Sequence, residues 1–297
     1  MKHPLPERPV KHAMPGTPAR SLKQILRKAV DRLALAACVF VLVTPAVSVF
    51  LWMLSLALKT EVDNLAYPPV FIPNPPTLDN FRAVFDSGPF FSYLVNSLIV
   101  SGGATLLALA VGIPAGYGIA RLNARKLLMT IMIARMTPAI SFLIPLFTLF
   151  QAIGLTGTLA PVVITHLVIT VPIVVYIVAG YFESLPHELE EAAVVDGCTP
   201  WQRFRLVALP LARPGVTVAA ILAFIFSWNN FIFGAVLAGR TTRTLPVAIY
   251  NVLTFEQIAW GPLAAAALLV TLPVLLLMLV IQKEIVGGLT AGGVKGG

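Results

Sequence analysis

Charge is scarce in this chain. Only 11% of its 297 residues are Asp, Glu, Lys or Arg, against 58% apolar. A soluble globular domain carries about 25% charged residues, so the composition excludes a soluble enzyme and a disordered chain. Cysteine is also scarce. Cys38 and Cys198 are the two present, and neither has a nearby partner, which excludes a disulfide scaffold or a cysteine metal site. Acidic residues are missing from every long apolar run. That argues against a secondary transporter driven by protons or sodium, where membrane carboxylates and inverted repeats are usual. No Gly-x-x-x-x-Gly-Lys-Ser/Thr loop is present, so ATP chemistry would need a separate subunit. His187-Glu188-Leu189-Glu190-Glu191 lacks the second histidine of a zinc-protease motif, and the intramembrane-enzyme reading has nothing else to stand on.

Six apolar segments remain, at roughly 33–58, 94–120, 127–150, 159–182, 216–238 and 261–281. Each is long enough to cross ~30 Å of hydrocarbon as a helix. The expected fold is an all-α membrane protein with six spans. Residues 1–32 hold eight Lys or Arg and five Pro. Their first half is Pro-broken and polar. Residues 21–32 place Leu22, Ile25, Leu26 and Val30 at helical spacing between basic residues, which predicts a short helix on the membrane surface. The tail is too long for a signal peptide, and the apolar run follows Cys38 rather than preceding it, against lipidation there.

With an even number of spans the termini share a side. That side carries 16 Lys or Arg and the other four, with Arg135 inside the third segment. The bias predicts both termini in the cytoplasm. It also accounts for the +8 net charge without nucleic acid. Residues 59–93 and 239–260 then form the long outer loops. The first holds a Pro-rich stretch and a short helix after Thr77; the second holds the Thr-Leu-Pro-Val-Ala-Ile run.

Residues 183–215 are the most informative stretch. Ser184 can cap a helix start, with Pro186 tolerated in its first turn. Glu188, Glu190 and Glu191 suit the positive end of the dipole, and Gly197 is a natural stop. Thr199-Pro200-Trp201-Gln202 restarts a helix with a capping box. Trp201, Phe204 and Ala208 share one face as an exposed aromatic pair, and Pro210 and Pro214 end the second helix. Two roles fit this helix–turn–helix: an interfacial pair resting on headgroups, or a docking surface for another protein.

Inside the spans, Arg135 precedes Met136-Thr137-Pro138. It can line a pathway, bind carbonyls freed by Pro138, or snorkel to the surface. His166 sits with Thr165 and Thr170, as a packing residue or a ligand. Ser227 and Asn230 share a face, with Trp228 and Asn229 pointing elsewhere. These side chains can line a sugar pathway or join helices.

Glu191-Ala192-Ala193, Asp196-Gly197, Phe204, and Leu209-Pro210-Leu211 with Pro214 resemble the EAA motif of ABC-importer permease subunits. Cys198 stands where that motif usually has a small residue. The Gly288–Gly296 end, Pro76-Thr77-Leu78-Asp79-Asn80-Phe81 and Ser227-Trp228-Asn229-Asn230-Phe231 look like maltose-type permeases of the MalG kind. The resemblance covers nearly all of 33–297. It implies a type I importer permease in a bacterial inner membrane, crossing it several times and with no catalytic residue. It implies a heterodimer with a second permease, two ATPase subunits that hold ATP and Mg²⁺, an outer solute-binding protein and a sugar substrate. A non-sugar solute is the runner-up within the family. Glu191, Ala192, Ala193, Asp196, Gly197, Trp201, Phe204 and Pro210 would seat on the ATPase, with Glu191 anchoring the helix pair by its charge. Arg135, His166, Ser227, Trp228, Asn229 and Asn230 are the pathway candidates. The division expected is 1–32 tail, 33–282 permease domain, and 283–297 Gly-rich tail reaching toward the ATPase interface.

Overall fold

The structure, a computed structural model, describes the backbone of residues 22–86, 88–252 and 259–293, and side chains of 30–86, 88–250 and 259–279. The first half of the basic tail and residues 294–297 lie outside the described residues. The chain divides into two units, Met1–Leu51 and Trp52–Gly297.

Helix α1 (Leu22–Leu58) is continuous. The basic stretch expected as a separate surface helix runs into the first apolar segment without a break. The described part of the N-terminal unit is this helix up to Leu51, and its residues from Val30 onward are exposed.

In the second unit, α2 (Glu61–Asn64) and α3 (Asp79–Asp86) occupy the first long loop. The Thr77 hydroxyl accepts from the Asp79 N–H at 3.1 Å, which starts α3 where the sequence predicts it. The next helix, α4 (Phe90–Arg121), is long and unbroken. Then the chain departs from six simple spans. The third apolar segment is two pieces: α5 (Arg125–Arg135), and a 3-10 turn Ala139–Phe142 leading into α6 (Leu143–Ala152). They are bent by 85°. The break falls at Met136-Thr137-Pro138, because proline disfavours helical backbone in the residue before it.

Helix α7 (Leu159–Ser184) is again long and apolar enough to span. After it come α8 (Glu188–Val195), α9 (Pro200–Gln202), a π-helical turn Arg203–Ala208, α10 (Leu209–Leu211) and α11 (Arg213–Trp228). The run Pro200–Leu211 meets α11 at 76°. The fifth apolar segment was expected to reach residue 238, but α11 ends at Trp228 and a short α12 (Ile232–Leu237) follows. Residues Leu245–Val252 form α13, and α14 (Trp260–Gly293) closes the chain. The Gly-rich tail continues this helix to Gly293. Among the described residues, four helices can each cross a membrane alone, and up to six spans result if each bent pair counts as one.

The core is built where α4, α7 and α11 pack together. Ala104, Ala108, Gly112, Gly116 and Ala120 recur every fourth residue on α4, and all are buried. From Ala108 onward the stripe packs with Val174, Val175, Val178 and Ala179 of α7. Lipid tails give helices no hydrophobic reason to associate, so small residues that admit close van der Waals contact do this work. A Cβ on Gly112 would stand 2.6 Å from Val174 Cγ1, and one on Gly116 3.0 Å from the Ala179 nitrogen.

Polar contacts tie the loops down at the end of α7 away from Ser184. The Asn96 amide donates to the carbonyls of Thr241 and Arg243 at 2.9 and 3.0 Å, and Thr242 Oγ1 donates to the Gly157 carbonyl at 2.8 Å. Glu61 reaches further along the chain. Its carboxylate accepts from the N–H groups of Trp260 and Gly261 at 2.9 and 3.1 Å, capping α14. The Asn80 amide donates to the carbonyls of Ala57 and Lys59 at 2.9 and 2.7 Å.

Candidate functional site

The 183–215 segment is a helix–turn–helix, with one shift at its start. Ser184 does not open α8. It closes α7, donating to the Tyr181 carbonyl at 2.7 Å, and α8 begins after His187. At the other end Asp196 is the C-cap. Gly197 follows with φ +84°, the left-handed region glycine enters without Cβ conflict. Its N–H donates to the Val194 carbonyl at 3.0 Å, and the Cys198 N–H donates to the Ala193 carbonyl at 2.9 Å. These two bonds form the Schellman closure. Two residues on, Thr199 and Gln202 make the expected capping box: Gln202 N–H to Thr199 Oγ1 at 3.3 Å, and Thr199 N–H to Gln202 Oε1 at 2.8 Å. The turn is hydrogen-bonded from both sides and opens onto free space, since a Cβ on Gly197 would meet nothing within 4 Å.

Of the coupling candidates, Ala193 and Phe204 are buried, and Glu191, Ala192, Asp196, Gly197, Trp201 and Pro210 are exposed. The aromatic pair is therefore not exposed as a pair. Trp201 is 62% exposed, while Phe204 packs against Tyr117 and Phe182 with centroids 4.9 and 6.4 Å away. The π turn lies just before Pro210, whose missing N–H and bulky ring oppose a regular helix there.

The carboxylate that ties the helix pair to α4 belongs to Glu190, while its neighbour Glu191 stays exposed. Glu190 is 6% exposed. Arg121, the last residue of α4, donates to Glu190 Oε1 through Nε at 2.8 Å and also through Nη2. Tyr117 Oη donates to Oε2 at 2.7 Å, and Arg121 Nη1 donates to the Phe182 carbonyl at 2.9 Å. Burial would raise the Glu190 pKa, but the hydrogen bonds from Arg121 and Tyr117, with the charges of Arg121 and Arg203, outweigh it and hold the carboxyl below its usual range.

The pathway candidates do not form one cluster. His166 is buried on α7 with its Nδ1 2.7 Å from the Ser227 hydroxyl on α11. Trp228 is buried too, donating from Nε1 to the Val270 carbonyl on α14 at 3.2 Å. Ser227 and Asn230 do not share a helix face, because the helix stops between them. Asn230 is half-buried and accepts from the Phe233 N–H at 3.2 Å, and Asn229 is exposed. Arg135 stands apart. It ends α5, its guanidinium lies 5.6 Å from the centre of the Phe226 ring, and it lines a cleft of about 260 Å³ with Met136, Thr137, Val168 and Ile169. Groups of three or more metal-ligating side chains are absent among the described residues.

Comparison with known proteins settles the family. Residues 108–286 match the model for the binding-protein-dependent transport system inner membrane component. The chain belongs to this family. It is similar to the trehalose transport system permease protein SugB of Mycobacterium tuberculosis, 37% identical over 83% of this chain and 91% of that protein. It is similar also to the sulfoquinovosyl glycerol transport system permease protein SmoH of Agrobacterium fabrum, 34% identical over 83% and 88%. A bacterial ABC transporter that imports the acidic polysaccharide alginate shares the fold, with a TM-score of 0.66 and 19% identity over 90% of this chain and 99% of that one. The protein is thus a multi-pass inner-membrane permease subunit of an ABC importer. It is a transport component rather than an enzyme, and it works with an ATPase and a solute-binding protein.

Proposed function

We propose that this permease carries a sugar or sugar derivative and forms half of a translocation pathway with a second, homologous permease. Two ATPase subunits sit on the cytoplasmic side and hold ATP and Mg²⁺, since this chain has no phosphate loop. The 183–215 helix pair seats on one of them, which puts both termini in the cytoplasm, as the 16-to-4 split of Lys and Arg favours. One observation carries the coupling part of this reading. The Schellman turn and the capping box join α8 to the next helix, and they leave Glu191, Ala192, Asp196 and Trp201 facing outward. Glu191 supplies charge to the contact and Trp201 apolar area. ATP-driven closure then moves the permease as a rigid body.

The sugar assignment is supported by relatives named for trehalose and for sulfoquinovosyl glycerol. Arg135, in its cleft beside Phe226, is the candidate cation for an anionic sugar. Purifying the tagged chain from its native membrane in mild detergent tests the reading. A second permease and a phosphate-loop ATPase should co-purify. Recovery of the chain alone, still active in transport, would overturn it. Unchanged uptake of an anionic solute by Arg135→Gln would remove Arg135 from the pathway.

A further inference from the structure

Glu190 and Glu191 are neighbours with different surroundings. Consecutive helical residues are turned by about 100°. Glu191 is exposed, while Glu190 points into the protein with both carboxylate oxygens occupied, one by Arg121 and the other by Tyr117. Arg121 is the final residue of α4, and Tyr117 lies one turn before it. Tyr117 also packs edge-on against Phe182 of α7, with centroids 5.2 Å apart. Above this point the small-residue stripe of α4 keeps it against α7. One continuous line of contact therefore runs from α8 through Glu190 into α4, and from α4 into α7.

The joint in that line is stiff for a physical reason. Apolar contacts such as those of Phe204 are non-directional and can slide. A buried carboxylate held by a guanidinium fork and a phenol has one good geometry, and moving either partner leaves a charge unpaired away from water, which is strongly unfavourable. A push on α8 is then transmitted along α4 instead of being absorbed at the interface.

The geometry points to Glu190, clamped by Arg121 and Tyr117, as the positioning residue that passes movement of the coupling segment to α4. This rests on the reading of 183–215 as the ATPase seat.

The test uses the complete complex, co-purified with its ATPase and placed in nanodiscs. Cys38 and Cys198 are replaced by Ser, and Leu98→Cys is added at the far end of α4. That position is 43% exposed and about 34 Å from Arg121 at 1.5 Å per residue. The readouts are retention of the ATPase, its ATP hydrolysis, and the change in maleimide labelling of position 98 on adding ATP and vanadate. In Glu190→Gln the ATPase should stay bound and hydrolyse ATP at the parent rate, while the labelling change falls about tenfold, the size of a typical coupling free energy between sites. A labelling change equal to the parent's would overturn the inference, and so would loss of the ATPase along with it, because the pair would then shape the seat and not the linkage. Should Glu190→Gln fail to accumulate in membranes, Arg121→Lys and Tyr117→Phe decide. A partial loss of the labelling change with the ATPase bound supports the linkage, and parent-like labelling overturns it. If the parent complex itself binds no ATPase, it is the seat reading that fails.

Discussion

His166 on α7 and Ser227 on α11 meet side chain to side chain, Nδ1 to Oγ at 2.7 Å, with both residues buried. This contact joins two helices of the core. Ser227→Ala would leave a buried ring nitrogen without its partner, a cost of about 1–3 kcal/mol. The unfolding temperature of the detergent-purified protein should fall. The half-saturation of uptake should not move, since a sealed pair touches no solute. A shifted half-saturation at unchanged unfolding temperature would place Ser227 in the pathway instead.

The α4–α7 contact gives a second expectation. Gly112→Ala drives a Cβ to 2.6 Å from Val174 Cγ1, and overpacking of this kind costs about 1–3 kcal/mol. Gly118 lies on the same helix, but a Cβ there meets nothing within 4 Å. Gly118→Ala should be neutral or stabilise by up to about 1 kcal/mol, as Ala replaces Gly in a helix interior. Thermal unfolding of the two purified variants checks the contrast.

Much of this was visible in the sequence, and particular residues show why. Gly197, Thr199 and Gln202 act through local backbone hydrogen bonds, so spacing alone announced the turn and the capping box. The bend at Met136-Thr137-Pro138 had its signal in Pro138, but a hydropathy run does not register a change of direction. The inward contact of Glu190 is not legible in the sequence, because it depends on Arg121, distant in the chain. Glu191 carried the motif, and the motif does not say which of two adjacent glutamates faces inward. The every-fourth small residues from Ala104 to Ala120 were a readable sign of close helix packing on α4.

Gly197→Val isolates the backbone. Space is open around Gly197, so the penalty arises from φ +84° and amounts to about 1–2 kcal/mol for a residue with a Cβ. The amount of protein in the membrane fraction should be unchanged, while uptake into vesicles is lost. Gly197→Asn should retain part of the uptake, because asparagine enters the left-handed region more readily than valine. Normal uptake by the valine variant would remove the turn from coupling.

Acid should act through Glu190. Its folded pKa lies below the ordinary value of 4.5. A carboxylate depressed on folding contributes stability that is present above the unfolded pKa and lost as pH falls through the folded one. The difference in unfolding temperature between the parent and Glu190→Gln should be constant from about pH 8 to about pH 5, and should shrink only below the ordinary carboxylate range. Arg121, Tyr117 and Arg203 are the other groups that face this carboxylate. A difference that already shrinks near neutral pH would refute the assignment.

Glu61 holds the start of α14 across 199 residues of chain. A ribosome adding 5–20 residues per second takes about 10–40 s to cover that distance. Until Trp260 and Gly261 have been made, the Glu61 carboxylate has no helix end to cap. The loop around α2 and α3 therefore gains this contact only when the last helix is made. A nascent chain stopped short of Trp260 would carry its early spans already inserted but leave this loop open to added protease, and synthesis of α14 would close it.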